Sequence, residues 1–262
     1  MKIIAVCGMG IGTSVLLKMN IDQALDALGI EGDVEAADIS SARGAAASAD
    51  LVMTSSELVF HTNPMSRGRI VRWMLEELGV EYRTEVHEYG KDMKSPEYLA
   101  INPMGKVPAI EHRGVVVTEV AAICAYLADA FPDAGLAPAL DDPLRGPYFR
   151  WLFFASGPVE SAVTANLLGQ LPPADKAGMV GYGSYDQAMD VLEQAAASAS
   201  PWLLGERFSA ADVYVGSHVD FGLAFKSIPD RPAFNAWAGR LREREAYRRA
   251  KAKDDALMPK RD

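Results

Sequence analysis

Apolar positions change period several times along the chain, and each change marks an element. Residues 3–6 are an unbroken apolar run, as expected for a parallel strand covered on both faces. Leu17, Ile21, Ala24, Leu25 and Leu28 recur at helical spacing behind Thr13 or Ser14 as the cap, and Gly29 ends that helix. Residues 34–39 predict a weaker strand, 42–49 a short Ala-rich helix and 51–54 a third strand. The order then starts again. It predicts a strand at 58–60, a turn at 63–66, a helix at 67–78 closed by Gly79, and an extended stretch at 82–87. Residues 102–110 lead into a strand at 115–117 and a helix at 119–130. Residues 131–143 form a Pro/Gly-rich linker, and the remainder reads as helices at 144–168, 185–197, 209–225 and 231–253. The fold class is α/β plus all-α: a three-stranded parallel βαβαβ fragment, a small α/β domain and an all-helical domain.

Composition divides the chain at one place. All nine Phe, nine Tyr and four Trp lie at Phe60 or beyond, and the 15 prolines and four histidines also follow Glu57. A stretch lacking all three classes ahead of one rich in them predicts two pieces of different origin. The seam falls near Ser55, Ser56, Glu57 and Leu58, giving domains at 1–57, 58–131 and 144–262.

Charge and length narrow the classes of function. A net charge of -9 without a basic stripe before the last helix argues against nucleic acid. No apolar run reaches the roughly 18 residues of a membrane span, and the start is too short for a signal-peptide core. Cys7 and Cys124 are the two cysteines, too few for a disulfide framework. The expected location is cytoplasmic, with no membrane partner and no metal site.

Several motifs carry chemistry. From residue 58 on, four segments in fixed order resemble the cytosolic bacterial glutathione transferases: Asn63-Pro-Met-Ser-Arg-Gly-Arg through Gly79, Asn102-Pro-Met-Gly-Lys-Val-Pro108, Val117-Thr-Glu-Val-Ala through Leu127, and Phe208-Ser-Ala-Ala-Asp212. The resemblance implies a thioredoxin-like glutathione-binding domain followed by the helical domain of that family. It also implies glutathione as co-substrate, a small electrophile as partner, and a homodimer. A hydroxyl or amide at a helix N-terminus would stabilise the thiolate by a charge-assisted hydrogen bond and the helix dipole. Ser66 is the first candidate and Asn63 the second; Ser66 as a plain cap is the competing reading.

The other contacts follow from the same resemblance. Val107-Pro108 matches the family's cis-proline turn, through which the Val107 backbone pairs with the cysteinyl part of glutathione. Lys106 either reaches the glycyl carboxylate or is simply solvated. Glu119 matches the acid at the next helix start, but Val120 stands where the family has Ser, which implies weakened binding of the γ-glutamyl end. Tyr148 and Trp151 either contact the electrophile or belong to the core. Ser209 and Asp212 read as a capping box and Cys124 as a buried small hydrophobe.

The first piece resembles the opening of a phosphotransferase-system enzyme IIB domain of the ascorbate type, through Cys7-Gly-Met-Gly-Ile-Gly-Thr-Ser14. In that family the cysteine takes a phosphoryl group from a histidine of a IIA-type partner, and loop amides and hydroxyls hold it. The motif lacks the Lys of a P-loop and the spacing of a dinucleotide fingerprint. The resemblance covers about half of such a domain and stops after the third strand, so Cys7 reads as a vestigial or an alternative active residue. The alternatives to a transferase are accordingly a phosphocarrier acting through Cys7 and a non-catalytic glutathione-binding protein.

Overall fold

A computed structural model describes residues 1–7, 11–54 and 58–258. Residues 8–10 of the Cys7 loop and residues 55–57 at the seam lie outside the described residues. Backbone contacts divide the chain into two compact units: Met1–His61 with Glu81–Val86 and Ala109–Val117, and the rest.

The first unit contains strands β1 (Lys2–Val6), β2 (Asp33–Ala37) and β3 (Leu51–Thr54), with helices α1 (Ile11–Leu28) and α2 (Ile39–Ala45). The sheet is parallel in the order β2-β1-β3, with Ile3 opposite both Val34 and Leu51. β1 is apolar throughout because each face has its own core. Ile3 and Ala5 pack with Ile21, Val34, Leu17 and Leu25, whereas Ile4 and Val6 pack with Ala37, Ala42, Ala45 and Ala49. The second strand is shorter than its apolar pattern predicts. Asp38 caps α2 instead of extending β2: its carboxylate accepts the Ser41 N–H at 2.8 Å while the Ser41 hydroxyl accepts the Asp38 N–H at 3.1 Å. β3 is an outer strand of this sheet, with Leu51 43% and Val52 40% exposed.

A second sheet has the order β5-β4-β6-β7, built from β4 (Leu58–Thr62), β5 (Arg83–Val86), β6 (Ala109–His112) and β7 (Val115–Thr118). β4 and β6 are antiparallel, Phe60 facing Ile110. The sequence reading placed one strand at 115–117; two are present. Arg113 and Gly114, with φ of 52° and 75°, form a two-residue turn of the kind that joins hairpin strands.

The second unit holds α3 (Gly68–Leu78), α4 (Pro96–Ile101), α5 (Val120–Ala130), α6 (Arg145–Phe154), α7 (Glu160–Leu167), α8 (Tyr185–Ser198), α9 (Ala210–Ala224), α10 (Pro232–Arg242) and α11 (Glu245–Ala256). α9 is its central helix, in contact with α3, α5, α6 and α10 and buried from Ala210 through Ser217. The run expected at 144–168 is α6 and α7 joined by a π-helical turn, Ala155–Val159, that contains Pro158. The run expected at 231–253 is two helices, because Arg244 is extended (φ -63°, ψ 134°) between α10 and α11.

The capping box at the start of α9 is present. The buried Asp212 carboxylate accepts the Leu203 N–H at 2.8 Å and the Ser209 N–H at 3.0 Å. Burial pushes its carboxyl up to about 6 against these hydrogen bonds. Ser209→Ala is expected to lower stability by about 1 kcal/mol. Asp212→Ala should cost more, since two N–H groups lose their acceptor. Chemical denaturation of the full chain reads both, and the reverse order would refute this account of the cap.

Candidate functional site

Asn63, Ser66, Lys106, Val107, Pro108, Glu119, Val120, Tyr148 and Trp151 all lie in the second unit; Cys7 lies in the first. Two Asn-Pro-Met turns of the same construction organise the candidates. In one, Asn63 Oδ1 accepts the Met65 N–H at 2.9 Å, the Asn63 carbonyl accepts the Ser66 N–H at 3.0 Å, and Asn63 Nδ2 donates to the His87 carbonyl at 2.8 Å. In the other, Asn102 Oδ1 accepts from Met104 at 3.1 Å, its carbonyl accepts from Gly105 at 2.8 Å, and its Nδ2 donates to the Lys106 carbonyl at 2.7 Å. Asn at the first position and Pro at the second suit such a turn because the side chain bonds two residues ahead and φ is preset. Both side-chain ends of Asn63 are therefore engaged, Oδ1 within its turn and Nδ2 with His87.

Ser66 stands at the entry to α3. Its hydroxyl donates to the Asn63 carbonyl at 2.7 Å and accepts the Gly68 N–H at 2.9 Å. The next residue, Arg67, has helical backbone angles, and its N–H meets no acceptor among the described residues. The turn is held close by Gly68, where a Cβ would come 2.0 Å from Thr62 Oγ1. A hydroxyl, a free amide and the positive end of an eleven-residue helix thus converge at one place.

The second turn presents residues 106–108. The Val107–Pro108 bond is cis, as the resemblance implied. The Lys106 carbonyl also accepts from Tyr98 Oη at 2.8 Å, and its ammonium end is exposed. Val107 is half-buried, and its N–H and C=O make no backbone hydrogen bond among the described residues.

The start of α5 supplies a third element. Glu119 is exposed and takes φ 63°, ψ 116°, a conformation that residues with a Cβ rarely adopt. It gives α5 no side-chain cap, and Val120, half-buried, has no hydroxyl to give one. The leading amides of the helix stay available to an anion.

On the helical side, Tyr148 and Trp151 differ in exposure. Tyr148 is 0% exposed, buried within α6, so in this structure it offers core volume rather than an exposed wall. Trp151 is half-buried, and the Arg150 guanidinium lies 3.9 Å from its ring centre. Cys124 is fully buried, and burial pushes its thiol up, which makes it inert packing.

A polar group that the motifs did not point to lies beside the Ser66 turn. Arg67 pairs with Glu160 at the start of α7, and Glu160 Oε2 is 3.8 Å from His218 Nδ1 on α9. Tyr214, stacked edge-on against His218 at 4.8 Å, feels the charges of Glu160, Arg67 and Glu119. The signal available in the sequence was a single histidine in a helix of mostly apolar residues. His61, also missed, sits in β4 with Nε2 2.8 Å from Glu111 Oε1.

In the first unit Cys7 is 4% exposed at the end of β1. Its N–H donates to Ser14 Oγ at 2.8 Å, and that hydroxyl donates to the Ala37 carbonyl at 2.7 Å. Ser14 therefore ties β1 to the end of β2 rather than capping α1. Residues 8–10 of the proposed phosphate loop lie outside the described residues, and residues 11–13 open α1. Among the described residues no cluster of His, Cys, Asp or Glu could hold a metal, and no helix is long and apolar enough to cross a membrane.

A strand-turn-helix opening with a hydroxyl at the helix start, a cis-proline turn and an all-helical continuation are the marks of a thioredoxin-like domain followed by a helical one. Comparison with known proteins carries this further. Residues 65–130 match the family of the glutathione S-transferase N-terminal domain, and residues 2–88 that of the lactose/cellobiose-specific IIB subunit of the phosphotransferase system. The maleylacetoacetate isomerase of Pseudomonas aeruginosa is 29% identical over 172 residues, spanning 61% of this chain and 80% of its own length. The ascorbate-specific EIIB component of Mycoplasma pneumoniae is 37% identical over 71 residues, 27% of this chain and 75% of its own length. A theta-class glutathione S-transferase from Xanthomonas axonopodis pv. citri, solved with glutathione bound, matches in fold with a TM-score of 0.57 and 28% identity. That match covers 75% of this chain and 97% of the other. The chain joins a segment belonging to the phosphotransferase-system IIB family to one that is similar to the glutathione transferases.

The IIB likeness is longer than the sequence reading allowed. It covers three-quarters of the curated relative, and the family match runs to residue 88, past the third strand. Residues 65–88 match both families, and they fall in a turn-helix-strand stretch of the kind both α/β folds contain.

Proposed function

We propose that this protein is a glutathione transferase, using the thiolate of glutathione against a small electrophile. The observation that carries the reading is the entry to α3, where the Ser66 hydroxyl and the Arg67 N–H stand together at the positive end of the helix. In this reading Ser66 hydrogen-bonds the thiolate, with the Arg67 amide as second donor. The Val107 N–H and C=O pair with the cysteinyl backbone, Lys106 faces the glycyl carboxylate, and the amides after Glu119 hold the γ-glutamyl carboxylate. The protein acts in the cytoplasm as a homodimer. Supporting the reading are the family match over 65–130 and a related structure of 28% identity with glutathione bound.

Capture of the full chain on immobilised glutathione, followed by conjugation of 1-chloro-2,4-dinitrobenzene, tests it. Retention with turnover is expected. Retention without turnover would leave a binding protein, and loss of both would overturn the reading. Val120→Ser should restore a hydroxyl at the γ-glutamyl end and tighten glutathione binding by about 1 kcal/mol. Calorimetric titration reads the change, and no gain would place that end of glutathione elsewhere.

A second reading rests on the IIB match, which includes Cys7. In it the Cys7 thiolate attacks a phosphohistidine of a IIA-type partner. The P–N bond breaks, a P–S bond forms, and the histidine nitrogen recovers a proton. Acid-stable, alkali-labile modification would speak against a cysteinyl phosphate, whereas Cys7→Ser should abolish labelling that depends on such a partner.

A further inference from the structure

The Arg67–Glu160–His218 group has features that a purely structural ion pair does not need. Arg67 follows Ser66 directly, and its side chain is 57% exposed, so its guanidinium reaches solvent beside the turn assigned to the thiol. Among the described residues it is held by one carboxylate, Glu160, whose side chain is 31% exposed. The neighbouring cations are otherwise engaged. Arg69 pairs with Asp255, and Arg72 pairs with Asp254 in the interior. An ion pair in contact with water contributes little, so a competing anion can replace Glu160 on Arg67.

What distinguishes this pair is a second place for the displaced carboxylate. His218 Nδ1 lies 3.8 Å from Glu160 Oε2, too far for a hydrogen bond, and His218 Nε2 has no partner among the described residues. Burial, with the Arg67 charge adding to it, pushes His218 down to about 4, so at neutral pH it carries one proton. With that proton on Nδ1, the imidazole is a donor waiting for an acceptor. Glu160 begins α7 just after the π-helical turn, and a small side-chain movement brings it from Arg67 to His218.

Resting on the transferase reading above, we propose that the electrophile carries a carboxylate, that Arg67 binds it, and that Glu160 holds the place until the substrate arrives and then turns to His218. The site thereby stays neutral when empty, and the cation is exposed only to an anion able to displace Glu160. A neutral electrophile leaves the pair closed and gains nothing from Arg67. Specificity arises from this exchange rather than from an unmasked arginine, which would bind any anion in solution.

A matched pair of electrophiles tests it in the full-length protein: ethacrynic acid, an unsaturated ketone bearing a carboxylate, and its methyl ester. The readout is the ratio of kcat/KM for acid over ester at saturating glutathione. Arg67→Gln should lower that ratio at least tenfold, whereas Glu160→Gln should raise it about threefold or more by freeing the cation. His218→Leu should lower the ratio, and His218→Gln, which keeps a donor, should largely retain it. An unchanged ratio in either the Arg67 or the Glu160 variant overturns the proposal. If the wild type conjugates neither probe, calorimetric binding decides separately. Acid bound more tightly than ester, with the preference lost in Arg67→Gln, sustains the anion site and overturns the transferase reading. Equal binding of the two probes overturns the anion site.

Discussion

Replacing Ser66 by alanine is expected to slow glutathione conjugation on the order of tenfold to a hundredfold, with the pKa of bound glutathione rising in step. In the structure the Ser66 hydroxyl proton is directed at the Asn63 carbonyl, 2.7 Å away, so Ser66 serves as a local tie before any thiol is bound. A thiolate offers more. A neutral hydrogen bond of this kind contributes about 0.5–1.5 kcal/mol net, against roughly 1.5–3 kcal/mol for one to a charged acceptor, so the hydroxyl turns toward sulfur when the anion arrives. Its acceptor role toward the Gly68 N–H survives that rotation. Asn63→Ala should behave differently. It removes the bonds to Met65 and His87 that shape the turn, so it should weaken glutathione binding and stability together. Thiolate absorbance of bound glutathione as a function of pH separates the two. If Ser66→Ala leaves the thiol pKa unmoved while glutathione still binds, the Arg67 N–H is the donor and Ser66 is only a tie.

The sequence carried the elements of this fold more reliably than their ends. β1, β3 and α3 stand where period and composition put them, because an apolar run or a helical stripe integrates over many residues. Ends depend on single side chains. Asp38 reads as the tail of a strand by hydropathy, yet its carboxylate reaches Ser41 and starts a helix instead. Arg244 breaks the last helical run without a Gly or Pro to announce it, because its guanidinium is drawn to Glu77 at 2.6 Å. The candidate site shows the same division. Local motifs, such as Asn-Pro-Met-Ser and Val-Pro, were legible because their chemistry lies within a few residues. The Arg67–Glu160 pair joins positions 93 apart, and only the folded helices bring His218 beside it. Tyr148 was left open between pocket and core for a related reason: an aromatic stripe on α6 does not reveal which of its rings is buried, and Tyr148 is the buried one.

Asp254→Ala should destabilise the folded chain by about 3–5 kcal/mol, the largest stability change expected from a single substitution here. Asp254 and Arg72 are 1% and 3% exposed in their side chains and meet at 2.6 Å between α11 and α3. Removing the carboxylate takes from the buried guanidinium the charge that Asp254 supplies at 2.6 Å, and arginine cannot shed its proton to escape. Around this pair lie more accessible ones: Arg69 with Asp255, Lys253 and Arg249 with Glu76, and Arg244 gripping Glu77 through two 2.6 Å bonds. These hold α11 against the helix that carries the Ser66 turn; their cations reach water, whereas the Glu76 and Glu77 side chains are 7% and 5% exposed. Replacing both members together, as Arg72→Met with Asp254→Leu, should cost less than Asp254→Ala alone, since neither charge of the pair then stays buried without the other. pH supplies an independent check. Burial raises the Asp254 carboxyl, opposed by Arg72, so the folded state holds its proton more tightly than the unfolded chain. That contribution is fully present below the unfolded pKa of about 3.9 and is lost as pH rises through the folded one. The gap between wild type and Asp254→Ala, measured by urea unfolding, should therefore narrow as pH rises through that window. A gap that widens instead would mean that the Arg72 charge outweighs burial and holds the carboxylate ionised in the folded protein.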